Sequence, residues 1–181
     1  MNFANVKYCD IANGEGVRTT LFVSGCRRGC KGCFNREAWD FTAGKPFDAS
    51  VAEEIFASLE PSYVDGLTLL GGEPMEPENQ RGLVDFVEEV KRRFPEKTIW
   101  CFSGDELEDI VAGSKHIEVT DRLLSCLDVL VDGPFIEELH DVTLRFRGSS
   151  NQRIIDVAAS LRSGEVVLWH DDPQFETHAL L

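Results

Sequence analysis

The 181-residue chain has no apolar run approaching the roughly 20 residues that a membrane-spanning helix needs, so a helical membrane protein is excluded. It is also short of positive charge, with 18 Lys and Arg against 32 Asp and Glu for a net charge of −14. Binding to nucleic acid phosphates needs clustered basic residues, so nucleic acid is not an expected partner. The opening Met-Asn-Phe-Ala-Asn-Val-Lys-Tyr lacks a basic start followed by an apolar stretch. No secretory signal is therefore expected, and a reducing, cytoplasmic setting follows, in which cysteines are thiols or metal ligands. The four histidines, His116, His140, His170 and His178, show no ligand spacing. Repeats, low-complexity blocks and interdomain linkers are missing as well. What remains is an ordinary globular composition, 43% apolar and 28% charged. We expect one domain over residues 1–163 and a C-terminal extension over 164–181 to which the sequence assigns no role.

The chain alternates strand-like and helix-like segments, which predicts an α/β fold with a parallel sheet and crossover helices. Strands are expected at Val17–Val23, Gly66–Leu70, Thr98–Phe102 and Asp128–Val131, with later ones at Arg153–Asp156 and Glu165–Trp169. A helix is expected over Val51–Leu59, with Ser50 and Glu53 as a capping box and Pro61 as its stop. A longer amphipathic helix is expected over residues 79–94, and short ones from about Asp105 and over Asp121–Cys126. Four of the strands run into small or polar turns: Ser24-Gly25, Gly71-Gly72, Ser103-Gly104 and Asp132-Gly133. Ligands of parallel α/β sheets sit at the carboxyl ends of the strands, where these turns should meet.

One of those turns carries Cys26, Cys30 and Cys33 within eight residues. A structural zinc site wants four protein ligands and disulfides want pairs. Three thiolates suit a 4Fe–4S cluster with one iron left open for another ligand. Arg27, Arg28, Lys31 and Arg36 make this stretch a basic island in an acidic chain. Cations there favour thiolates, face a partner, or are simply solvated.

Cys-x-x-x-Cys-x-x-Cys after one strand and Gly71-Gly72-Glu73-Pro74 after the next together resemble the radical S-adenosylmethionine (radical SAM) superfamily. The stretches Gly14–Cys26 and Cys33-Phe-Asn-Arg-Glu-Ala-Trp39 are similar to the glycyl-radical-enzyme activases. Within that group, the short chain, Gly32 and Phe34 around the last cysteine, Asp128–Gly133 and Arg147–Gln152 resemble the activating proteins of anaerobic ribonucleoside-triphosphate reductases. The likeness spans roughly residues 8–156.

The resemblance implies an incomplete parallel β/α barrel of the radical SAM type, open at the rim to a large partner's loop. It implies a 4Fe–4S cluster on Cys26, Cys30 and Cys33, with S-adenosylmethionine completing the open iron. The cofactor is then expected against Gly32, Cys33, Phe34, Gly71, Gly72, Glu73, Pro74 and Ser103. Phe34 would flank the adenine, because Gly32 stands where the superfamily often has an aromatic residue. Glu73 would accept from the cofactor's amino group, in place of the Asp common in such activating proteins.

The implied activity is reductive cleavage of S-adenosylmethionine and abstraction of hydrogen from a backbone glycine of the reductase, with a donor such as flavodoxin. Activation of another glycyl radical enzyme, such as pyruvate formate-lyase, is an alternative, and a non-catalytic iron–sulfur interaction module is a third reading. Cys101 and Cys126 read as core packing, and Cys9 has no assigned role. Trp39 and Trp100 read as packing residues, and Arg147–Gln152 as either a surface loop or a contact segment.

Overall fold

A computed structural model describes residues 1–33 and 35–170. In chain order its strands are β1 (Asn2–Asp10), β2 (Arg18–Val23), β3 (Lys45–Pro46), β4 (Gly66–Gly71), β5 (Thr98–Phe102), β6 (Val129–Asp132) and β7 (Arg153–Asp156). Its α-helices are α1 (Ala49–Leu59), α2 (Pro77–Arg93), α3 (Leu107–Ala112), α4 (Thr120–Cys126) and α5 (Val157–Ser163). One seven-stranded sheet runs in the order β3-β1-β2-β4-β5-β6-β7. Its centre, β2-β4-β5-β6, is parallel. Helices occupy each crossover between those strands, as the alternating pattern predicts. The outer strands β1, β3 and β7 are antiparallel to their neighbours. The sheet is therefore mixed, and β3 and β7 leave it open rather than closed into a barrel.

The central strands read as continuous apolar runs because both of their faces are covered. On one face Leu21, Leu69, Ile99, Cys101 and Leu130 pack against Ile55 and Leu59 of α1 and Leu83, Val87 and Val90 of α2. The opposite face carries a smaller cluster of Trp100, Val129 and Val131 with Phe102, Phe146, Ile154 and Trp169. Arg18 fills this face at the start of the strands and is wholly buried. Its guanidinium donates to Thr68 Oγ1 (2.7 Å), the carbonyls of Leu67 and Thr98 (both 2.8 Å), Thr98 Oγ1 and the Glu15 carbonyl (both 3.0 Å). It also sits 5.5 Å from the Trp100 ring centroid. One end of the inner face is thus plugged, and the carboxyl end is left for a cavity.

Local details correct the sequence reading in several places. The cap of α1 is Asp48, whose carboxylate accepts from the Ser50 and Val51 amides, so Ser50 lies inside the helix and no capping box forms. The second helix begins at Pro77, a residue suited to a first helical position because its missing N–H would be unpaired there anyway. Residues 165–169 make only an isolated bridge, Ile155 to Leu168, instead of a strand. This segment still returns to the sheet, where the Asp156 amide donates to Val167 O and the Trp169 amide to Ile154 O (both 2.9 Å). Of the C-terminal extension, residues 171–181 lie outside the described residues.

Candidate functional site

The exits of β2, β4, β5 and β6 converge on a cavity of about 460 Å³. Cys26, Cys30 and Cys33 line it from the loop after β2, Gly71, Gly72 and Glu73 from the turn after β4, and Ser103 and Gly104 from the turn after β5. Further parts of the wall come from Ala12 and Asn13 before β2, from Phe135 after β6, and from Phe146, Arg147, Gly148 and Gln152 before β7. Seven of the residues expected at the site therefore share one cavity: the three cysteines, Gly71, Gly72, Glu73 and Ser103. Pro74 is buried behind the turn, and Gly32 lies in the cysteine loop outside the cavity wall. Phe34 lies outside the described residues. Of the segment Arg147–Gln152, Arg147, Gly148 and Gln152 line the cavity.

The two glycines at the end of β4 are required first by neighbouring backbone. Gly71 has φ +113°, and a Cβ there would stand 2.7 Å from Val23 O. At Gly72 a Cβ would stand 2.6 Å from Gly25 O and 2.9 Å from Ala38 O. Without side chains, the turn pairs directly with the exit of β2: the Gly72 amide donates to Val23 O (2.7 Å) and the Glu73 amide to Gly25 O (2.9 Å). The same exit is clamped from its other side, since the Gly25 amide donates to Ala38 O (2.7 Å) and the Cys26 amide to Trp39 O (3.1 Å). A short 3₁₀ helix, Arg36–Trp39, closes the cysteine loop in this way.

Glu73 is buried, and its carboxylate is occupied by the protein itself. Oε1 accepts from the Met75 amide and from Ser103 Oγ (both 2.9 Å), and Oε2 accepts from the Gly104 amide (2.8 Å). Burial, reinforced by Asp105, pushes its pKa up, while the Met75 and Gly104 amides and Lys115 oppose the rise. In this arrangement Glu73 fastens the second turn to the third.

The basic island is not a free patch. Arg27 pairs with Glu76 and Glu78 (both 2.6 Å) and stacks 4.3 Å from the Phe41 ring centroid. Arg28 pairs with Asp105, Lys31 with Glu137 (2.7 Å), and Arg36 lies 5.8 Å from the Trp39 ring centroid. Lys115 reaches both Asp105 (2.7 Å) and the buried Glu76 (3.0 Å). These pairs staple the cysteine loop to the other rim loops, and their partners lie too far along the chain for sequence spacing to reveal them. With the cations so engaged, burial and then Glu73 and Glu76 push the Cys26 thiol up, only partly offset by the Arg28 amide.

Trp39, which reads from the sequence as packing, lines the cavity, and its indole Nε1–H donates to Cys33 Sγ at 3.4 Å. Cys101 and Cys126 are buried core residues, and Cys9 is exposed and away from the cavity.

All six cysteines are free, and three of them face one cavity that holds no fourth thiol and no histidine among its described lining residues. Among the described residues, no three His, Cys, Asp or Glu side chains group closely enough to hold a single ion. A polynuclear cluster needs no such convergence, because each thiolate binds a different iron. The donor set therefore fits an iron–sulfur cluster with one open iron better than it fits zinc. No helix among the described residues is long and apolar enough to cross a membrane.

Residues 12–155 match the protein family described as a 4Fe-4S single cluster domain. The chain is 42% identical over 156 residues to the anaerobic ribonucleoside-triphosphate reductase-activating protein of Haemophilus influenzae, covering 85% of this chain and 97% of that one. The protein of the same name from Enterobacteria phage T4 is 41% identical over 154 residues, covering 85% and 93%. That of Escherichia coli K12 is 36% identical over 154 residues, covering 84% and 96%. On this evidence of sequence and site together, the chain belongs to the family of anaerobic ribonucleoside-triphosphate reductase-activating proteins.

Proposed function

We propose that the protein is a radical SAM enzyme that generates a glycyl radical on an anaerobic ribonucleoside-triphosphate reductase. The observation that carries this reading is the three-thiol wall beside the Gly71–Gly72 turn, in a cavity within the usual range for small-molecule sites. Cys26, Cys30 and Cys33 would hold a 4Fe–4S cluster, and S-adenosylmethionine would occupy the remaining cavity. Bound together, these groups supply one-electron reductive cleavage of the sulfonium to a carbon radical able to take hydrogen from a glycine.

The chain's own residues hold, orient and enclose. The backbone clamp from Val23 and Gly25 to Gly72 and Glu73 fixes the cysteine loop against the cofactor turn. Glu73 holds the turns after β4 and β5 at a fixed separation, so S-adenosylmethionine would meet a preset pair of turns. Phe102, Phe135 and Phe146 give the cavity an apolar wall that keeps water from the reacting carbon. Arg147 lines the same rim and would contact what enters it, while the Gln152 amide holds this loop together through the Gly148 and Ser149 amides and the Gly133 carbonyl. The open sheet, read as an incomplete barrel, leaves room for a loop of a protein substrate. A small cytoplasmic electron donor such as flavodoxin would supply the electron.

The test is anaerobic reconstitution with iron and sulfide, reduction, and mixing with S-adenosylmethionine and an anaerobic ribonucleoside-triphosphate reductase. A glycyl radical signal in electron paramagnetic resonance is expected on the reductase. A loaded, reducible cluster that yields no such signal there, but yields one on another glycyl radical enzyme, would reassign the substrate.

A further inference from the structure

We propose that Trp39 sets the reduction potential of the cluster by donating its indole N–H to the Cys33 sulfur. This rests on the reading that Cys33 ligates iron. The contact is directed, at 3.4 Å from Nε1 to Sγ, and the backbone that carries the ring is tied down on both sides. Its own carbonyl accepts from the Cys26 amide (3.1 Å), so the backbone of Trp39 is tied to the first cysteine of the triplet. The preceding carbonyl, that of Ala38, accepts from the Gly25 amide (2.7 Å), and Ala38 itself is 5% exposed. The Arg36 guanidinium covers the ring 5.8 Å from its centroid. A partly buried tryptophan N–H ordinarily finds an acceptor, and here that acceptor is a ligand sulfur, not a carbonyl.

Reduction by one electron places more negative charge on the cluster and its thiolates. An N–H donor to a thiolate is therefore bound more strongly in the reduced state, and it raises the potential without transferring its proton. Hydrogen bonds to charged acceptors are among the stronger ones in proteins, so the effect should be measurable. An electron donor of modest potential would then reduce the cluster more readily than it could without Trp39. Trp39 is a positioning residue in this role, because it acts through Cys33.

The experiment is a potentiometric titration of reconstituted wild type and Trp39→Phe, following the reduced-cluster signal by electron paramagnetic resonance without S-adenosylmethionine. Loss of the donor should make the cluster about tenfold harder to reduce at a fixed potential, a downward shift of ~59 mV for a one-electron couple. If Trp39 only fills space, its replacement admits water, which favours the more charged reduced state and moves the potential upward or leaves it unchanged. Either of those results overturns the proposal. If the Phe variant does not load iron, 3-benzothienylalanine at position 39 keeps the indole shape without the N–H, and the same shift is required of it. A wild type that binds no reducible cluster contradicts the assignment of Cys33 itself, which separates that failure from this one.

Discussion

Ser103 Oγ donates to Oε1 of the buried Glu73 across 2.9 Å, and the neighbouring Gly104 amide donates to Oε2, so a single carboxylate joins the turns after β4 and β5. Glu73→Gln replaces one acceptor oxygen by a donor amide, which must then face the Gly104 amide, or the Met75 amide and Ser103. One buried polar contact is lost whichever way the side chain turns. We predict a stability loss of about 1–3 kcal/mol. Iron content after reconstitution should be unchanged and affinity for S-adenosylmethionine several-fold weaker, by equilibrium dialysis. Unaltered affinity would show that the distance between the two turns does not set cofactor binding.

Arg18 donates to two carbonyls, two hydroxyls and the Glu15 carbonyl while fully buried. Arg18→Met keeps the aliphatic stem but leaves those acceptors without a donor at the closed end of the sheet. Each unsatisfied buried acceptor costs about 1–3 kcal/mol, so a total loss of about 3 kcal/mol or more is expected from urea unfolding. A loss below about 1 kcal/mol would mean that the inner face repacks or hydrates freely.

Asp10 closes β1 and fastens the loop whose Ala12 and Asn13 line the cavity. Burial opposes its charge, but hydrogen bonds from Lys7, Asn13, the Ala12 amide and Thr20 outweigh it and bring its pKa down to about 2. A depressed carboxylate contributes stability that is fully present above its unfolded pKa, near 4, and is lost as pH falls toward 2. Asp10→Asn should therefore cost about 2 kcal/mol at pH 7. The gap to wild type in urea midpoint should narrow between pH 4 and pH 2. A gap independent of pH over that range would contradict the ionised role.

The central strands were legible because β2, β4, β5 and β6 are short apolar runs that end in a glycine or serine turn. The nine-residue β1 was not, because only Phe3 and Asp10 are buried among exposed or half-buried residues and no apolar run or strict alternation survives. The helix α5 escaped because it follows β7 directly, with Asp156 serving as both the last strand residue and the cap that accepts from the Ala159 amide. At α1, Asp48 and Ser50 are both good capping residues, and only the backbone geometry selects Asp48. The cysteine triplet and the Gly71–Gly72 turn announced themselves by spacing. The inward-facing Glu73 carboxylate and the aim of the Trp39 N–H depend on side-chain orientation, which spacing does not encode. The neutralised basic island depends on Glu76, Asp105 and Glu137, each tens of residues away from it.

The most direct measurement is 5′-deoxyadenosine formed by the anaerobically reconstituted, reduced protein on addition of S-adenosylmethionine. Wild type should release it together with methionine, and Cys30→Ala should bind little iron and release none. A fully loaded and reduced wild type that forms no 5′-deoxyadenosine would contradict the assignment of this cavity to radical chemistry.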